Sequence, residues 1–183
     1  MPDQGRYSWR HNSVLHEISN IFKELGKDEW NIIANLPDQN TSGPSTVPCN
    51  ILPTSQKPDM VLIRRNSKTI ILVELTVCFE SGIVKAEERK TDMYASLLHD
   101  LSDVDFNAQL FTLEIGSRGL IDSNNTNKLK DLLKLIDPKL KYLNKVVKSL
   151  RSKLSKISVL CSYALFYSKY NQMWRESPLL STS

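Results

Sequence analysis

Two acidic side chains, Asp59 and Glu74, interrupt apolar stretches that have the length and pattern of β-strands. Asp59 opens the first strand, and Glu74 lies near the end of the second. If the intervening turn is centred on 66–67, Asp59 falls directly opposite Glu74, at a side-chain separation of roughly 5 Å. Two carboxylates this close repel each other and lose hydration unless a proton or a cation lies between them. The spacing therefore predicts a divalent-metal site on a β-hairpin.

The strand backbone adds a third oxygen to this pair. Asp59, Glu74 and the carbonyl of Leu75 would form an incomplete oxygen shell suited to Mg²⁺, or to Mn²⁺ in its place, with positions left for water and a phosphate oxygen. Thr76 projects from the same strand face as Glu74. A shell without histidine or thiolate argues against zinc. A purely structural role stays open, because arginines or backbone donors can also satisfy a buried aspartate and glutamate.

A lysine stands within the apolar stripe of the next segment, which has helical spacing over 83–101. If Lys90 faces the sheet, it can reach the two carboxylates, where it would hold a nucleophilic water or neutralise developing charge. The alternative is that it snorkels to solvent along the side of the helix. The stripe consists of Ile83, Ala86, Lys90, Met93, Leu97 and Leu101.

The composition predicts a single soluble domain over residues 1–183, with 40% hydrophobic content and a net charge of +4. Segment 128–156 carries ten basic and two acidic residues, so it is +8 and the rest of the chain is −4. This local excess predicts a polyanionic partner. The three cysteines are widely spaced and odd in number, which supports neither a disulfide framework nor a zinc knuckle. No secretory signal or bilayer-spanning stretch is apparent, so we expect an intracellular protein without a membrane partner.

The pattern of elements predicts an α/β fold, a small mixed sheet with the acidic hairpin at its centre. Helices over 13–25 and 83–101 would flank the sheet, and strands are expected at 30–36 and 106–115. Residues 37–57, rich in Pro, Ser, Thr and Asn, indicate a loop.

The end of the chain predicts two further helices. One ends at Ile136, and Asp137-Pro138 is a suitable start for a long helix over 138–174. Its apolar residues form a seam and most of its lysines fall on the other faces. We expect the outward face, with Lys141, Lys145 and Lys148, to contact the polyanionic partner. The seam leaves homodimerisation open as an alternative use.

The order of these motifs resembles the PD-(D/E)XK nuclease core, here Pro58-Asp59 followed by Glu74-Leu75-Thr76. More specifically, nearly the whole chain is similar to the restriction-enzyme-like endonuclease domain of site-specific non-LTR retrotransposons. The residues that carry this similarity are Arg10-His11-Asn12, Lys57-Pro58-Asp59, Glu74-Leu75-Thr76-Val77 with Glu80, Arg89-Lys90 before Tyr94, Gly116-Ser117-Arg118-Gly119, and Cys161-Ser162-Tyr163 with Trp174.

The resemblance implies a restriction-endonuclease-like fold and metal-dependent DNA cleavage, with Asp59 and Glu74 as ligands. Thr76 occupies the usual lysine position, and Lys90 on the following helix would replace that lysine. Met93 stands where family members often carry a second lysine, which leaves a catalytically inactive nucleic-acid-binding module as the alternative. A DNA substrate predicts a nuclear location, and the family leaves open that the chain is part of a larger polyprotein with a reverse transcriptase.

Other motif residues have a functional and an ordinary interpretation. Arg10 and His11 would contact phosphates or brace the site, or else belong to an ordinary helix-cap neighbourhood. Arg118 would grip a phosphate or simply form a turn. Glu17 would anchor a metal-bound water or lie in solvent. Supporting roles are also expected for two further residues, Glu80 and Tyr94.

Overall fold

The computed structural model describes residues 4–26, 29–37 and 45–168, and over these residues four strands form one mixed sheet flanked by four α-helices. This confirms the predicted α/β class and is compatible with a restriction-endonuclease-like core. The elements are α1 Gln4–Gly26, β1 Asn31–Ala34, β2 Met60–Arg64, β3 Thr69–Cys78, α2 Ile83–Asp103, β4 Asn107–Gly116, α3 Ser123–Ile136 and α4 Leu143–Ser168.

The sheet has the strand order β1-β2-β3-β4. β1 and β2 pair antiparallel, β2 and β3 form the predicted antiparallel hairpin, and β3 pairs parallel with β4. A parallel pair needs a crossover, and α2 supplies it. The hairpin turn is a short 3₁₀ segment at Arg65–Ser67, closed by Lys68 in the left-handed region at φ 46°. Met60 pairs with Val73, so the register places Asp59 beside Glu74, as the sequence predicts.

The two faces of the sheet bury different cores. Ile71 and Leu75 of β3 belong to the larger core, beneath α1, α3 and α4. Ile70 and Leu72 belong to the smaller core, beneath α2. Because side chains alternate along a strand, Glu74 lies on the α2 face, where the apolar core gives way to polar side chains.

The first helix begins at Gln4, nine residues before the predicted start at Ser13. The Ser13 hydroxyl donates to the carbonyl of Trp9 at 2.9 Å, inside the helix, so it does not act as a cap. Trp9 is buried against the core. Burial of this aromatic side chain stabilises the additional turns and overrides the local capping signal.

The last helix begins at Leu143, later than predicted. Asp137 instead follows the end of α3, and Tyr142 has φ 59°, a left-handed conformation that a helix interior does not adopt. Of the predicted end, residues 169–174 lie outside the described residues. The apolar seam of α4 is buried within the chain, against α1 and α3, so a homodimer would have to use another surface.

The segment 45–57, the described part of the predicted loop, contains no helix or strand. Its first residues are nevertheless buried, and Val47 joins the smaller core. None of the helices in the described part of the chain has the length and apolarity needed to cross a bilayer.

Candidate active site

Asp59 and Glu74 are joined through the backbone of the hairpin. The N–H of Leu75 donates to Asp59 Oδ2 at 2.8 Å, and the N–H of Asp59 donates to Glu74 Oε2 at 3.1 Å. Each carboxylate is thus fixed by an amide of the opposite strand. The two residues lie opposite each other across the hairpin, as predicted.

Lys90 points into the site. Its ammonium pairs with Glu74 Oε1, and its side chain is 17% exposed against 3% for Glu74. The snorkelling alternative is therefore wrong for this lysine. Tyr94, one turn further along α2, is buried and interacts with Glu74, and burial together with that negative charge raises the pKa of its hydroxyl. Met93, predicted to face the sheet, is 41% exposed, because Tyr94 takes that place in the stripe.

The electrostatics of Glu74 are unfavourable in the absence of a further cation. Burial raises the pKa of Glu74, the negative charge of Asp59 raises it further, and the contact with Lys90 opposes both without cancelling them. Two neighbouring carboxylates and one ammonium leave an excess of negative charge at a largely buried point. A bound cation is one way to relieve this excess.

His11 of α1 lies inside the acidic site. Its Nε2 is 3.1 Å from Asp59 Oδ2 and 3.2 Å from the carbonyl oxygen of Leu75, while Nδ1 is 3.2 Å from Asn12 Oδ1. Burial lowers the pKa of His11, but the hydrogen bond and the charge of Asp59 outweigh it, so the pKa is raised. His11 therefore contacts two of the predicted oxygen ligands, Asp59 and the carbonyl of Leu75.

A cleft of about 740 Å³ opens onto these residues. Two exposed basic side chains, Lys57 and Arg89, line it beside Asp59, Thr76 and Lys90. The sequence analysis assigned no role to these two residues, although both stand in the motifs that carry the family resemblance. The complete lining is Tyr7, Ser8, His11, Asn12, Asn35, Leu36, Pro37, Lys57, Asp59, Leu75, Thr76, Val77, Arg89 and Lys90.

The Arg10 side chain does not face the cleft. Its guanidinium donates to the carbonyl of Val77 and to the hydroxyl of Ser162, both at 3.0 Å, and the residue is buried. Desolvation lowers the pKa of this guanidinium. Arg10 therefore links α1 to β3 and α4.

Glu80 and Arg118 form a structural pair. Arg118 Nε donates to Glu80 Oε2 at 3.0 Å, its backbone N–H donates to Glu80 Oε1 at 2.8 Å, and its guanidinium lies 4.9 Å from the ring of Phe79. The contacts favour the interpretation of Arg118 as a turn residue. Glu17 is buried rather than solvated, and its Oε1 lies 3.1 Å from the ammonium of Lys153. Neither residue lines the cleft.

A second buried acid that the sequence analysis did not assign lies on β4. Glu114 pairs in register with Thr76, and Lys128 holds it with Nζ 3.0 Å from Oε2. The same ammonium lies 2.8 Å from Glu87 Oε1. Burial raises the pKa of Glu114, against the opposing effect of Lys128. Because these residues come from β4, α2 and α3, no local pattern could have indicated the cluster.

The three predicted DNA-binding lysines, Lys141, Lys145 and Lys148, are exposed. The contact between Arg10 and Ser162 places the C-terminal half of α4 next to the site. At 1.5 Å of rise per residue, Lys148 lies on the order of 20 Å further along this helix. These lysines are therefore not part of the cleft.

Among the described residues, three histidine, cysteine or acidic groups come within 4.8 Å of one another at one place, His99, Asp100 and Asp103. All three are exposed on α2, and exposed clusters of this kind are common without an ion. The hairpin site depends instead on two carboxylates, a backbone carbonyl and the ring of His11.

No protein-family model matches this sequence, and no curated protein sequence matches it. Among solved structures, the chain is similar to an N-terminal domain of a reptarenavirus L protein, with a TM-score of 0.41 and 19% sequence identity. The similarity covers 81% of this chain and 74% of that chain.

Proposed function

We propose that this protein is a metal-dependent endonuclease that hydrolyses phosphodiester bonds in DNA. The observation that carries the proposal is the contact of Glu74 with both Asp59 and Lys90, beside an open cleft that Asp59 and Lys90 line. The motif order described above supports an extension of this proposal to a retroelement origin and a nuclear location.

The residues present fit a divalent cation. Asp59 Oδ2 and the carbonyl oxygen of Leu75 lie within 3.1 and 3.2 Å of a common point, the position of His11 Nε2, so the two oxygens converge. Glu74, whose Oε2 accepts the N–H of Asp59, would supply a further carboxylate oxygen. Such hard oxygen donors suit Mg²⁺ or Mn²⁺. When bound, the cation would polarise a phosphate oxygen and acidify a coordinated water.

The protein itself would contribute charge and position. The ammonium of Lys90 lies at the wall of the cleft, where it compensates Glu74 and can stabilise charge that builds on a phosphate. Lys57 and Arg89 can hold the phosphodiester backbone across the opening. The cleft is open to solvent on that side, so a polymer can enter it.

The test is nicking of supercoiled plasmid in Mg²⁺ or Mn²⁺. Asp59→Ala and Glu74→Ala should each lower the nicking rate by about a hundredfold or more while DNA retention persists, and Lys90→Ala should lower it by a similar factor. Asp100→Ala is the matched control, an exposed acid on α2, and should nick like the wild type. An equal loss of nicking in Asp100→Ala would indicate that the catalytic metal binds at the surface cluster of His99, Asp100 and Asp103 instead.

One observation favours a second candidate, a nuclease fold that binds nucleic acid without cutting it. Both oxygens of Glu74 have partners within the protein, Lys90 and the N–H of Asp59, so a structural role without a cation is chemically consistent. This candidate predicts salt-sensitive retention of DNA and no nicking in any divalent metal. The plasmid assay separates the two candidates directly.

A further inference from the structure

We propose that His11 is a nitrogen ligand of the divalent cation, which makes the cation shell a mixed one of oxygen and imidazole. The inference rests on the proposed function, because it needs a cation at the Asp59 site. It differs from the expectation drawn from the sequence, in which the shell contains oxygen alone and His11 contacts the nucleic acid. His11 would then touch the reacting centre from α1, opposite Lys90 on α2.

The two nitrogens of the His11 ring have different partners. Nδ1 lies 3.2 Å from Asn12 Oδ1, an oxygen that can only accept, so Nδ1 carries a hydrogen. In the neutral ring, Nε2 then presents a lone pair. That lone pair faces Asp59 Oδ2 at 3.1 Å and the carbonyl oxygen of Leu75 at 3.2 Å, which are also acceptors. The lone pair of Nε2 is therefore in contact with two acceptor oxygens, which repel it unless a positive centre lies between them.

Two positive centres can satisfy this arrangement, a proton on Nε2 or a metal ion. The proton would make His11 an imidazolium and leave the three atoms hydrogen-bonded. A metal ion would take the same lone pairs after a small displacement of the ring, and two of the three atoms are the oxygens already proposed as ligands. The observed contact thus marks a position for which a proton and a divalent cation compete.

The support around His11 resembles that of metal-ligating histidines in general. Such a ring donates its second N–H to an acceptor that fixes its tautomer and orientation, and Asn12 fills this role. The neighbouring Arg10 is held by β3 and α4, so this turn of α1 is anchored to the strand that carries Glu74. The ring is therefore positioned before any cation arrives.

A nitrogen donor changes which cation the site prefers. Imidazole binds transition metals in preference to Mg²⁺, which takes oxygen ligands. The wild-type protein should accordingly bind Mn²⁺ more tightly than Mg²⁺. Removal of His11 should weaken Mn²⁺ binding by about tenfold or more and Mg²⁺ binding by less.

The experiment uses the full chain, Mn²⁺ and no DNA. Pulsed electron paramagnetic resonance of bound Mn²⁺ should show coupling to an imidazole ¹⁴N nucleus in the wild type. The chain has three histidines, so single replacements assign the signal. The coupling should vanish in His11→Ala and persist in two controls, His16→Ala on the same helix and His99→Ala in the surface cluster. Loss of the free Mn²⁺ signal during titration gives the affinities.

The proposal is overturned if Mn²⁺ does not bind, if the wild-type spectrum lacks the nitrogen coupling, or if the coupling survives in His11→Ala. The wild-type spectrum requires no substitution, so a folding defect in a variant cannot hide a negative result. Nitrogen coupling without plasmid nicking would support His11 as a metal ligand and contradict the proposed nuclease function. Plasmid nicking without nitrogen coupling would support the nuclease function and contradict His11 as a metal ligand.

Discussion

At the scale of single residues, the pair formed by Glu74 and Lys90 governs the electrostatics of the site. The carboxylate is almost fully buried, and Lys90 is the cation nearest to it among the described contacts. Loss of one partner leaves an uncompensated buried charge, whereas replacement of both by neutral groups removes the charges together. The pair should therefore be tested as a unit.

Lys90→Met should lower the free energy of unfolding by about 3 kcal/mol in metal-free buffer, because Glu74 is left buried without its counter-ion. Adding Glu74→Gln to this variant should recover part of the loss. Urea unfolding measures both effects. Lys85→Met, an exposed lysine on the same helix, is the control and should change the unfolding free energy by less than about 0.5 kcal/mol. A double variant no more stable than Lys90→Met would contradict the coupling.

Glu80 predicts a dependence of stability on pH. Desolvation of its carboxylate acts to raise the pKa, but the hydrogen bonds and charge of Arg118 outweigh it, so the pKa of Glu80 is lowered. The carboxylate of Glu80 therefore binds a proton more readily in the unfolded chain than in the folded protein. The stability that Glu80 contributes is fully present above the unfolded pKa, about 4.3, and is lost as the pH falls through the lower folded pKa.

The variant Glu80→Gln should consequently be less stable than the wild type at pH 7. The difference should shrink as the pH drops below about 4. Urea midpoints at pH 7 and pH 3 provide the measurement. A difference that stays constant or grows toward acid pH would mean that Glu80 stabilises the fold by packing rather than by charge.

At the scale of elements, the end of β4 fits closely against the segment that precedes α2. A Cβ added at Gly116 would lie 2.6 Å from Glu80 Oε1 and 3.0 Å from Leu120 Cβ. The Glu80 carboxylate cannot move aside without disturbing its pair with Arg118. Gly116 is therefore needed for close approach rather than for an unusual backbone angle.

Gly116→Ala should destabilise the protein by about 1–3 kcal/mol, which thermal unfolding can measure. Gly5→Ala is the matched control, because no atom lies within 4 Å of a Cβ at that position in α1. It should be neutral or slightly stabilising, since alanine favours a helix over glycine. Equal melting temperatures for Gly116→Ala and the wild type would show that the strand end is more adaptable than the distances indicate.

The hairpin was predictable because its signals are local. Two apolar runs, a polar turn and an acid in each run determine the register, and that register alone brings Asp59 to Glu74. The last helix illustrates the opposite case. Asp137-Pro138 is a good local start signal, but the chain turns through a left-handed Tyr142 first, and the helix begins where its seam meets α1 and α3.

Long-range contacts explain what the sequence pattern did not predict in the site. His11 reaches residues 48 and 64 positions away in the chain, and no periodicity in α1 distinguishes it from its neighbours. The stripe of α2 was correct except at one step, where Tyr94 rather than Met93 turns inward. Tyr94 takes the inward position because its hydroxyl can donate a hydrogen bond to the Glu74 carboxylate, whereas the thioether of Met93 has no donor.

At the scale of the whole molecule, the acidic site and the lysine-rich half of α4 are separated. The site lies beside the C-terminal half of this helix, and Lys141, Lys145 and Lys148 lie toward its start. A duplex that contacts both would have to run along α4. Phosphate contacts of this kind depend on salt rather than on sequence.

Simultaneous replacement of the three lysines by glutamine should reduce the salt dependence of DNA binding. Each lysine that contacts a phosphate contributes a slope of about 0.9 in the logarithmic plot of affinity against salt. Fluorescence anisotropy of a labelled duplex over a potassium chloride series gives this slope. Lys68→Gln, at the far end of the hairpin from Asp59, is the control. An unchanged slope in the triple variant would assign the binding to Lys57 and Arg89 instead.

The single guanidinium of Arg10 has a mechanical consequence. It connects three segments, because Arg10 lies on α1 and donates hydrogen bonds to the end of β3, at Val77, and to the C-terminal half of α4, at Ser162. Because His11 is the next residue in α1, these hydrogen bonds oppose a displacement of α4 that would move the imidazole away from Asp59. Under the proposed function, this tether would keep His11 at its distance from Asp59 while a nucleic acid binds at the lysine-bearing end of α4.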